Sequence, residues 1–152
     1  METSSASAAG PAIARPAKGF TRHLPTIARV LLGLMFFVFG LNGFLNFIPQ
    51  PPKESLPAAL MAFSEAMMKT GYLFQLIKGT EVLVGALLLL NRFVPLALTV
   101  LAPVIVNIVA VHVFLAPSGV VMALVILALE LYLAWSYRSA FRPMLGARIM
   151  PG

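Results

Sequence analysis

The sequence contains no cysteine, and its 152 residues include only two histidines and five acidic residues. The absence of cysteine excludes disulfide bonds within the chain, thiol–disulfide relay chemistry and metal clusters held by thiolates. No Ser-His-Asp pattern, Gly-x-Ser-x-Gly motif, phosphate-binding loop or zinc-ligand spacing is present. We therefore assign no catalytic residue from the sequence, and we expect no metal site and no intrinsic cofactor.

Charged residues are scarce, at 11% of the chain, whereas hydrophobic residues make up 60% and the mean hydropathy is +0.94. A water-soluble domain of this length cannot bury so much apolar surface. Four long apolar runs, separated by short polar breaks, extend from Thr26 to Tyr137. These runs predict an integral membrane protein whose first partner is the lipid bilayer.

Each apolar run has the length of a membrane-spanning helix, since about 20 residues cross a hydrocarbon layer of ~30 Å. We predict one all-α domain, a four-helix transmembrane bundle over 26–138, with helices at 26–48, 72–91, 94–116 and 120–137. The short connections at 91–93 and 117–119 require antiparallel neighbours. Residues 1–25 are predicted to form a disordered basic tail, and residues 139–152 a short basic tail.

The segment between the first two spans predicts a short amphipathic helix. Pro49, Pro51 and Pro52 end the first span, and Ser55 is expected to cap the new helix, with Pro57 in its first turn. Apolar and charged residues separate at helical spacing, with Leu56, Leu60, Phe63 and Met67 on one side and Glu54, Glu65 and Lys69 towards water. We expect this helix to lie flat on the outer membrane interface.

The basic residues predict the orientation in the membrane, because Lys and Arg favour the cytoplasmic side. Two connections on one side carry only Lys53 and Lys69, and the other side carries Arg15, Lys18, Arg22, Arg29, Arg92, Arg138, Arg142 and Arg148. Both termini are therefore predicted to be cytoplasmic. The net charge of +6 is explained by this bias, and no basic patch interleaved with aromatic residues indicates nucleic acid binding.

Polar side chains inside the apolar runs are candidates for a binding site, because hydrocarbon does not tolerate them. Gln75, Lys78 and Glu81 follow one face of the second span, at depths of about 5, 9 and 14 Å. Asn42 and Asn107 can reach the level of Lys78. We predict that these five residues line a ligand pocket open to the outer side. For Lys78 and Glu81 a second interpretation stays open, namely a buried ion pair that only sets helix register.

Glu130 lies near the middle of the fourth span and has no charged partner close in sequence. Ala123 and Ala134 share its face, which marks that face as a helix contact. Because carboxyl groups within membranes often exchange protons, Glu81 and Glu130 are the predicted proton-handling residues. The central premise is that Glu130 converges with Lys78 and Glu81.

Two further features of the third span bear on the pocket. Pro103 removes the hydrogen bond to the carbonyl of Thr99, and Asn107 lies one turn further along, so we expect a kink lined by Thr99 and Asn107. His112 is about 140° around the helix from Asn107 and close to its end. We interpret His112 as an interfacial histidine rather than a ligand-binding one.

Five stretches carry a resemblance to a known family: GLMFFVFGLNGF at 33–44, TGYLF at 70–74, KGTEVLVG at 78–85, NRFVPLA at 91–97 and APVIVNI at 102–108. Together they make the region 28–138 similar to the DoxX family of small bacterial membrane proteins. The resemblance implies a four-helix bundle in the bacterial cytoplasmic (inner) membrane. It also implies a link to quinone-coupled sulfur oxidation and terminal oxidases, from whose subunits the family takes its name.

The sequence and the resemblance together favour an accessory subunit that binds a quinone-like or other lipophilic small molecule and is not catalytic alone. It would then serve as a membrane oxidoreductase subunit, with redox-enzyme subunits or a second copy of the chain as partners. Two alternatives stay open: a small-metabolite transporter that uses the same pocket, and a non-catalytic membrane scaffold for partner proteins.

Overall fold

The computed structural model describes residues 22–146, which contain helices and no β-strand. The predicted tail at 1–25 lies largely outside the described residues, as do Arg15, Lys18 and Arg148. Within the described part the α-helices are α1 (Leu24–Leu45), α2 (Ala58–Lys69), α3 (Leu73–Leu89), α4 (Val94–Phe114), α5 (Val120–Ser136) and α6 (Arg138–Phe141). Single 3₁₀ turns occupy 53–55, 117–119 and 142–145.

The predicted spans correspond to α1, α3, α4 and α5, with small shifts at their ends. α1 begins at Leu24, inside the predicted tail, and Pro25 fits its first turn because that turn needs no backbone donor. It ends at Leu45, before the three prolines that were expected to stop it. Asn46 stops it instead, since its backbone is left-handed (φ 49°) and its N–H donates to the carbonyl of Asn42 at 2.9 Å.

Three helical segments are long and apolar enough to cross a membrane: α1, α4 and Pro117–Ser136. α3 has 17 residues, a length of about 26 Å, and is long enough to count as a membrane span only together with α2. These two helices meet at 93°, so the protein has three candidate spans, or four if the bent pair counts as one. α5 also has 17 residues, but the preceding turn extends its segment to Pro117, whereas the 93° bend separates α3 from α2.

α1 packs against α3 and α5, and α4 packs against the same two helices. Leucine side chains with no exposed surface form the centre of the core: Leu32, Leu88, Leu101 and Leu133. Many large apolar side chains on the outside are more than half exposed, among them Phe39, Val106, Val121 and Leu131. An outer surface of this kind suits a lipid environment.

The contact between α1 and α3 is close because it is built on glycine. A Cβ added to Gly85 would lie 2.5 Å from the backbone N of Phe37 and 2.9 Å from the carbonyl O of Gly33. Only a residue without a side chain permits this approach of two backbones.

The start of α2 differs from the prediction. Ser55 does not cap the helix, since its hydroxyl donates to the carbonyl of Pro52 at 2.7 Å within the preceding turn. Helix α2 begins at Ala58, with Pro57 at the N-cap position and no side-chain cap, so Leu56 lies before the helix. Ser55 bonds within its own turn because the carbonyl of Pro52, three residues earlier, is within reach of its hydroxyl.

The bend between α2 and α3 is formed by residues 70–72. The Thr70 hydroxyl donates to the carbonyl of Met67 at 2.7 Å and accepts from the N–H of Leu73 at 3.0 Å, so it links the end of one helix to the start of the next. Gly71 has φ +76°, which permits the sharp change of direction.

The chain continues in helical turns after α5. α6 and the 142–145 turn occupy part of the region predicted as a basic tail. The Arg138 guanidinium lies 4.5 Å from the centre of the Trp135 ring and donates to the Trp135 carbonyl at 3.2 Å. A cation over an indole ring at this distance is a cation–π contact, which holds α6 against the end of α5.

Candidate functional site

A cleft lies between α2, α3 and α4, and each of these helices forms one wall. It has two adjoining compartments with volumes of about 150 Å³ and about 380 Å³. We call the smaller one the polar compartment because Lys78, Glu81, Asn107 and His112 line it. The larger one is the apolar compartment, where Asn107 is joined by Phe63, Met67, Leu73, Ile77, Pro103 and Val104.

The α2 wall is formed by the apolar side of the amphipathic helix. Leu60, Phe63 and Met67 line the polar compartment, whereas Glu65 and Lys69 are exposed. The predicted separation of the two sides is therefore present, and the apolar side faces α3 and α4. Helix α2 can line the cleft because the chain turns through 93° between α2 and α3.

Lys78 and Glu81 form an ion pair on α3, with 2.8 Å between Lys78 Nζ and Glu81 Oε2. A spacing of three residues brings both side chains to one face of the helix. The Lys78 side chain is 23% exposed and that of Glu81 only 6%. The ammonium thus reaches the cleft, while the carboxylate behind it supplies the counter-charge that a cation in an apolar site requires.

Asn107 and His112 complete the polar compartment from α4. Asn107 is exposed to both compartments, and His112 is half-buried, with Nδ1 2.8 Å from the carbonyl O of Ile108. The sequence predicted an interfacial histidine near the end of α4, and the structure adds that His112 also lines the cleft. A wide sector of α4 borders the cleft, because the cleft separates α4 from both α2 and α3.

Two residues expected in the pocket lie elsewhere. Gln75 is exposed, and the lining of the two compartments does not include it. Asn42 is buried, and its Oδ1 accepts a hydrogen bond of 2.7 Å from the N–H of Ile48. Its side chain therefore organises the chain after α1. The structure brings together Lys78, Glu81 and Asn107, but not Asn42 or Gln75.

Glu130 is buried in α5 and does not line the cleft. Its Oε2 has no hydrogen-bond partner among residues 22–146. The predicted convergence of Glu130 with Lys78 and Glu81 is therefore absent from this part of the chain. The face of α5 that carries Glu130 packs into the core, as the neighbouring Ala123 and Leu133 show by having no exposed surface.

Of the two residues expected to line a kink at Pro103, Asn107 borders the apolar compartment together with Pro103, and Thr99 does not. α4 runs as one helix through Pro103, and Thr99 is exposed, with its hydroxyl donating to the carbonyl of Pro95 at 2.9 Å. This bond to the preceding turn is the usual local choice of threonine in a helix. Asn107 is left to face the cleft.

The structural role of Arg29 was not predicted from the sequence, where this residue bore only on orientation in the membrane. Arg29 is 7% exposed, and its guanidinium Nη1 donates to the carbonyl of Leu88 and, at 3.4 Å, to that of Leu89. These carbonyls end α3, whose last turn has no basic residue of its own. A cation is favourable at such a helix end. The signal available in the sequence was that Arg29, a charged residue, lies inside an apolar run.

The cleft walls α2, α3 and α4 all fall within residues 24–116, the region that matches the family model of DoxX. The match covers more than half of the 152 residues. The chain belongs to the DoxX family. The resemblance read from the sequence motifs is thereby confirmed. No curated protein and no solved structure matches this chain.

Membership in the DoxX family and the apolar helices together identify a multi-pass membrane protein. The matched region ends before α5, so Glu130 belongs to the part of the chain that the DoxX model does not cover. Lys78, Glu81, Asn107 and His112 all lie inside the matched region. The cleft of this DoxX protein is lined by the ammonium of Lys78, the carboxylate of Glu81, the amide of Asn107 and the imidazole of His112, together with apolar side chains.

Proposed function

We propose that this DoxX-family protein binds a lipophilic small molecule with an oxygen-bearing headgroup, of the quinone type, in the cleft between α2, α3 and α4. The supporting observation is the combination of a paired ammonium at Lys78 with an adjoining apolar compartment of about 380 Å³. Sites for amphiphilic ligands are mostly apolar and contain a few polar groups that orient the ligand.

In this function Lys78 and Asn107 hold the headgroup. The Lys78 ammonium has three donors, and one of them is directed at Glu81. The others and the Asn107 amide are available to carbonyl or hydroxyl oxygens in the polar compartment. A hydrogen bond to a charged group contributes about 1.5–3 kcal/mol, so Lys78 should dominate the polar part of the affinity.

We further propose the arrangement in the membrane that gives the ligand access. α1, α3, α4 and α5 form a four-helix bundle in a bacterial cytoplasmic membrane, with both termini in the cytoplasm and α2 on the outer interface. The 93° turn between α2 and α3 and the bias of arginine to the opposite ends of the helices support it. The cleft then lies at the outer membrane boundary, where a lipophile can enter from the bilayer.

The role that follows is an accessory subunit of a membrane redox system. Because the chain has no cysteine and no histidine pair for haem, the electron carrier would be a bound quinone or would belong to a partner subunit. Glu81 is the nearer candidate for proton exchange, since it lines the polar compartment and Glu130 does not. In the alternative scaffold function, the Lys78–Glu81 ion pair would only fix the packing of the helices, and no ligand would bind.

A binding experiment with a defined probe tests the proposal. The full chain is placed in lipid nanodiscs, and the affinity of a decyl-substituted benzoquinone is measured for the wild type, Lys78→Met and Lys69→Met. Lys69 is an exposed lysine of α2 outside the cleft, which makes it the matched control. We expect Lys78→Met to weaken binding about tenfold, or about 1.4 kcal/mol, and Lys69→Met to leave it unchanged.

Two results would overturn this function. Absence of probe binding to the wild type, or equal affinities of the two lysine variants, would favour the scaffold. Accumulation of a polar solute in vesicles, abolished by Lys78→Met, would replace binding by transport. Mass spectrometry of lipophiles that copurify with the protein then identifies the natural headgroup.

A further inference from the structure

We infer that the ligand of the cleft carries a hydroxyl group that donates a hydrogen bond to Nε2 of His112. This inference rests on the proposed binding function and specifies the chemistry of its headgroup. His112 lines the polar compartment beside Lys78 and Asn107, yet the binding role described above does not use it.

The first step is the position of the hydrogen on the His112 ring. Nδ1 lies 2.8 Å from the carbonyl O of Ile108, one turn earlier in α4. A carbonyl oxygen can only accept, so Nδ1 must donate and carry the hydrogen. In the neutral imidazole the other nitrogen, Nε2, then has a free lone pair and acts as an acceptor.

The His112 ring packs closely against the turn that precedes α5. The Cδ2–Nε2 edge of His112 lies against Gly119, the last residue of the turn before α5. A Cβ at position 119 would lie 2.6 Å from Nε2 and still closer to Cδ2. Nε2 has no hydrogen-bond partner in the part of the chain that the structure describes, residues 22–146. The ring is thus held at Nδ1 and along its Cδ2–Nε2 edge, and Nε2, which has no partner, is not one of the fully buried atoms among residues 22–146.

The polar compartment offers both hydrogen-bond donors and an acceptor to a headgroup. Lys78 offers only donors, Glu81 is engaged by Lys78, and His112 offers an acceptor. The Ser64 hydroxyl and the Asn107 amide, which also line the compartment, can each donate and accept. Asn107 lies five residues further into α4 than His112, so the polar groups are spread along the cleft. A headgroup that satisfies both ends needs an acceptor oxygen for Lys78 and a donor hydroxyl for His112. A ligand that carries only acceptors leaves Nε2 desolvated without a partner, which lowers its affinity.

A matched pair of probes isolates the hydroxyl. 4-Octylphenol and its methyl ether, 4-octylanisole, have the same ring and tail, but only the phenol is a donor. Their affinities for the full chain in nanodiscs are measured against empty nanodiscs, which corrects for partition into lipid. For the wild type we expect a preference of about tenfold for the phenol, the discrimination expected from one lost hydrogen bond.

Two variants attribute the preference to His112. His112→Phe keeps an aromatic ring and removes both nitrogens, and it should abolish the preference for the phenol over the methyl ether. Gly119→Ala displaces the ring without changing its chemistry, and it should reduce the preference too. Gly79→Ala, at a glycine with nothing within 4 Å of an added Cβ, is the control and should retain it.

The outcomes separate the two proposals. Equal affinities of the wild type for both probes, or a tenfold preference that persists in His112→Phe and Gly119→Ala, would overturn the role of His112. The binding function survives in that case if Lys78→Met still weakens both probes. If neither probe nor the decyl-substituted benzoquinone binds to the wild type, both proposals fail.

Discussion

Gly43 of α1 lies directly against the aliphatic chain of Lys78 on α3. A Cβ built on Gly43 would come within 2.6 Å of both Cγ and Cδ of the lysine and 3.2 Å of its Cε. The lysine can therefore extend over α1 and reach Glu81 and the cleft only because position 43 has no side chain. The ammonium at the end of this chain is the main polar group of the proposed site.

Gly43→Ala should displace the Lys78 chain and weaken binding of the decyl-substituted benzoquinone about three- to tenfold, an estimate based on partial loss of a charged hydrogen bond. Titration of the variant in nanodiscs measures this change. Gly79→Ala is the control, because its Cβ would meet nothing within 4 Å. Wild-type affinity in Gly43→Ala would show that the ligand does not depend on the position of the lysine.

Gly85→Ala should destabilise the protein itself. The added Cβ would meet the backbone of Phe37 at 2.5 Å, and two helix backbones cannot yield as a flexible side chain does. We expect the free energy of unfolding to fall by about 1–3 kcal/mol, the usual cost of overpacking. Unfolding in mild detergent measures it. Gly79→Ala should instead gain up to ~1 kcal/mol through helix propensity, and equal behaviour of the two variants would contradict the close α1–α3 contact.

Arg29→Met should weaken the attachment of α1 to the end of α3. The variant keeps a long apolar chain but loses the donors to the carbonyls of Leu88 and Leu89. Hydrogen bonds to a charged group contribute about 1.5–3 kcal/mol, and we expect a loss of that size in unfolding experiments. Arg92→Met removes an exposed arginine and should change stability by less than about 0.5 kcal/mol. A similar loss in both variants would rule out a specific role for Arg29.

Asn42→Ala separates structure from ligand binding. The Asn42 side chain accepts from the N–H of Ile48 at 2.7 Å and does not line the cleft. We expect stability to fall by about 0.5–2 kcal/mol, as for the loss of a helix cap, while probe affinity stays unchanged. Calorimetry of unfolding and probe titration are compared on the same sample. Loss of affinity without loss of stability would return Asn42 to the binding site.

Glu130→Leu should have the opposite effect on stability from Glu81→Leu. Oε2 of Glu130 is buried without a partner among residues 22–146, and an apolar residue removes a desolvation cost of about 1–3 kcal/mol. Glu81→Leu leaves the ammonium of Lys78 unpaired and should destabilise. Thermal unfolding of both variants in detergent tests the contrast. Marked destabilisation by Glu130→Leu would reveal a partner for this carboxyl group.

The Lys78–Glu81 pair and the helices were predictable because they depend on local spacing. Three residues along one helix place two side chains on one face, and about 20 apolar residues suffice to cross a bilayer. α4 and α5 therefore begin where predicted, at Val94 and Val120. The end of α1 and the start of α2 differ from the prediction by a few residues. Asn46 ends α1 through its left-handed backbone, and the Ser55 hydroxyl bonds to the carbonyl of Pro52 instead of capping α2. Composition specifies neither of these local choices.

The amino-acid sequence by itself determined the helical class, the DoxX membership and the charged pair of α3, because apolar length, motif and periodicity are properties of neighbouring residues. Only the tertiary structure decided that His112 faces the cleft, that Arg29 binds the end of α3 and that Glu130 lies apart from Lys78. These relationships depend on how far each helix is rotated about its axis. Contacts between residues distant in the chain, such as Gly85 with Phe37, set that rotation.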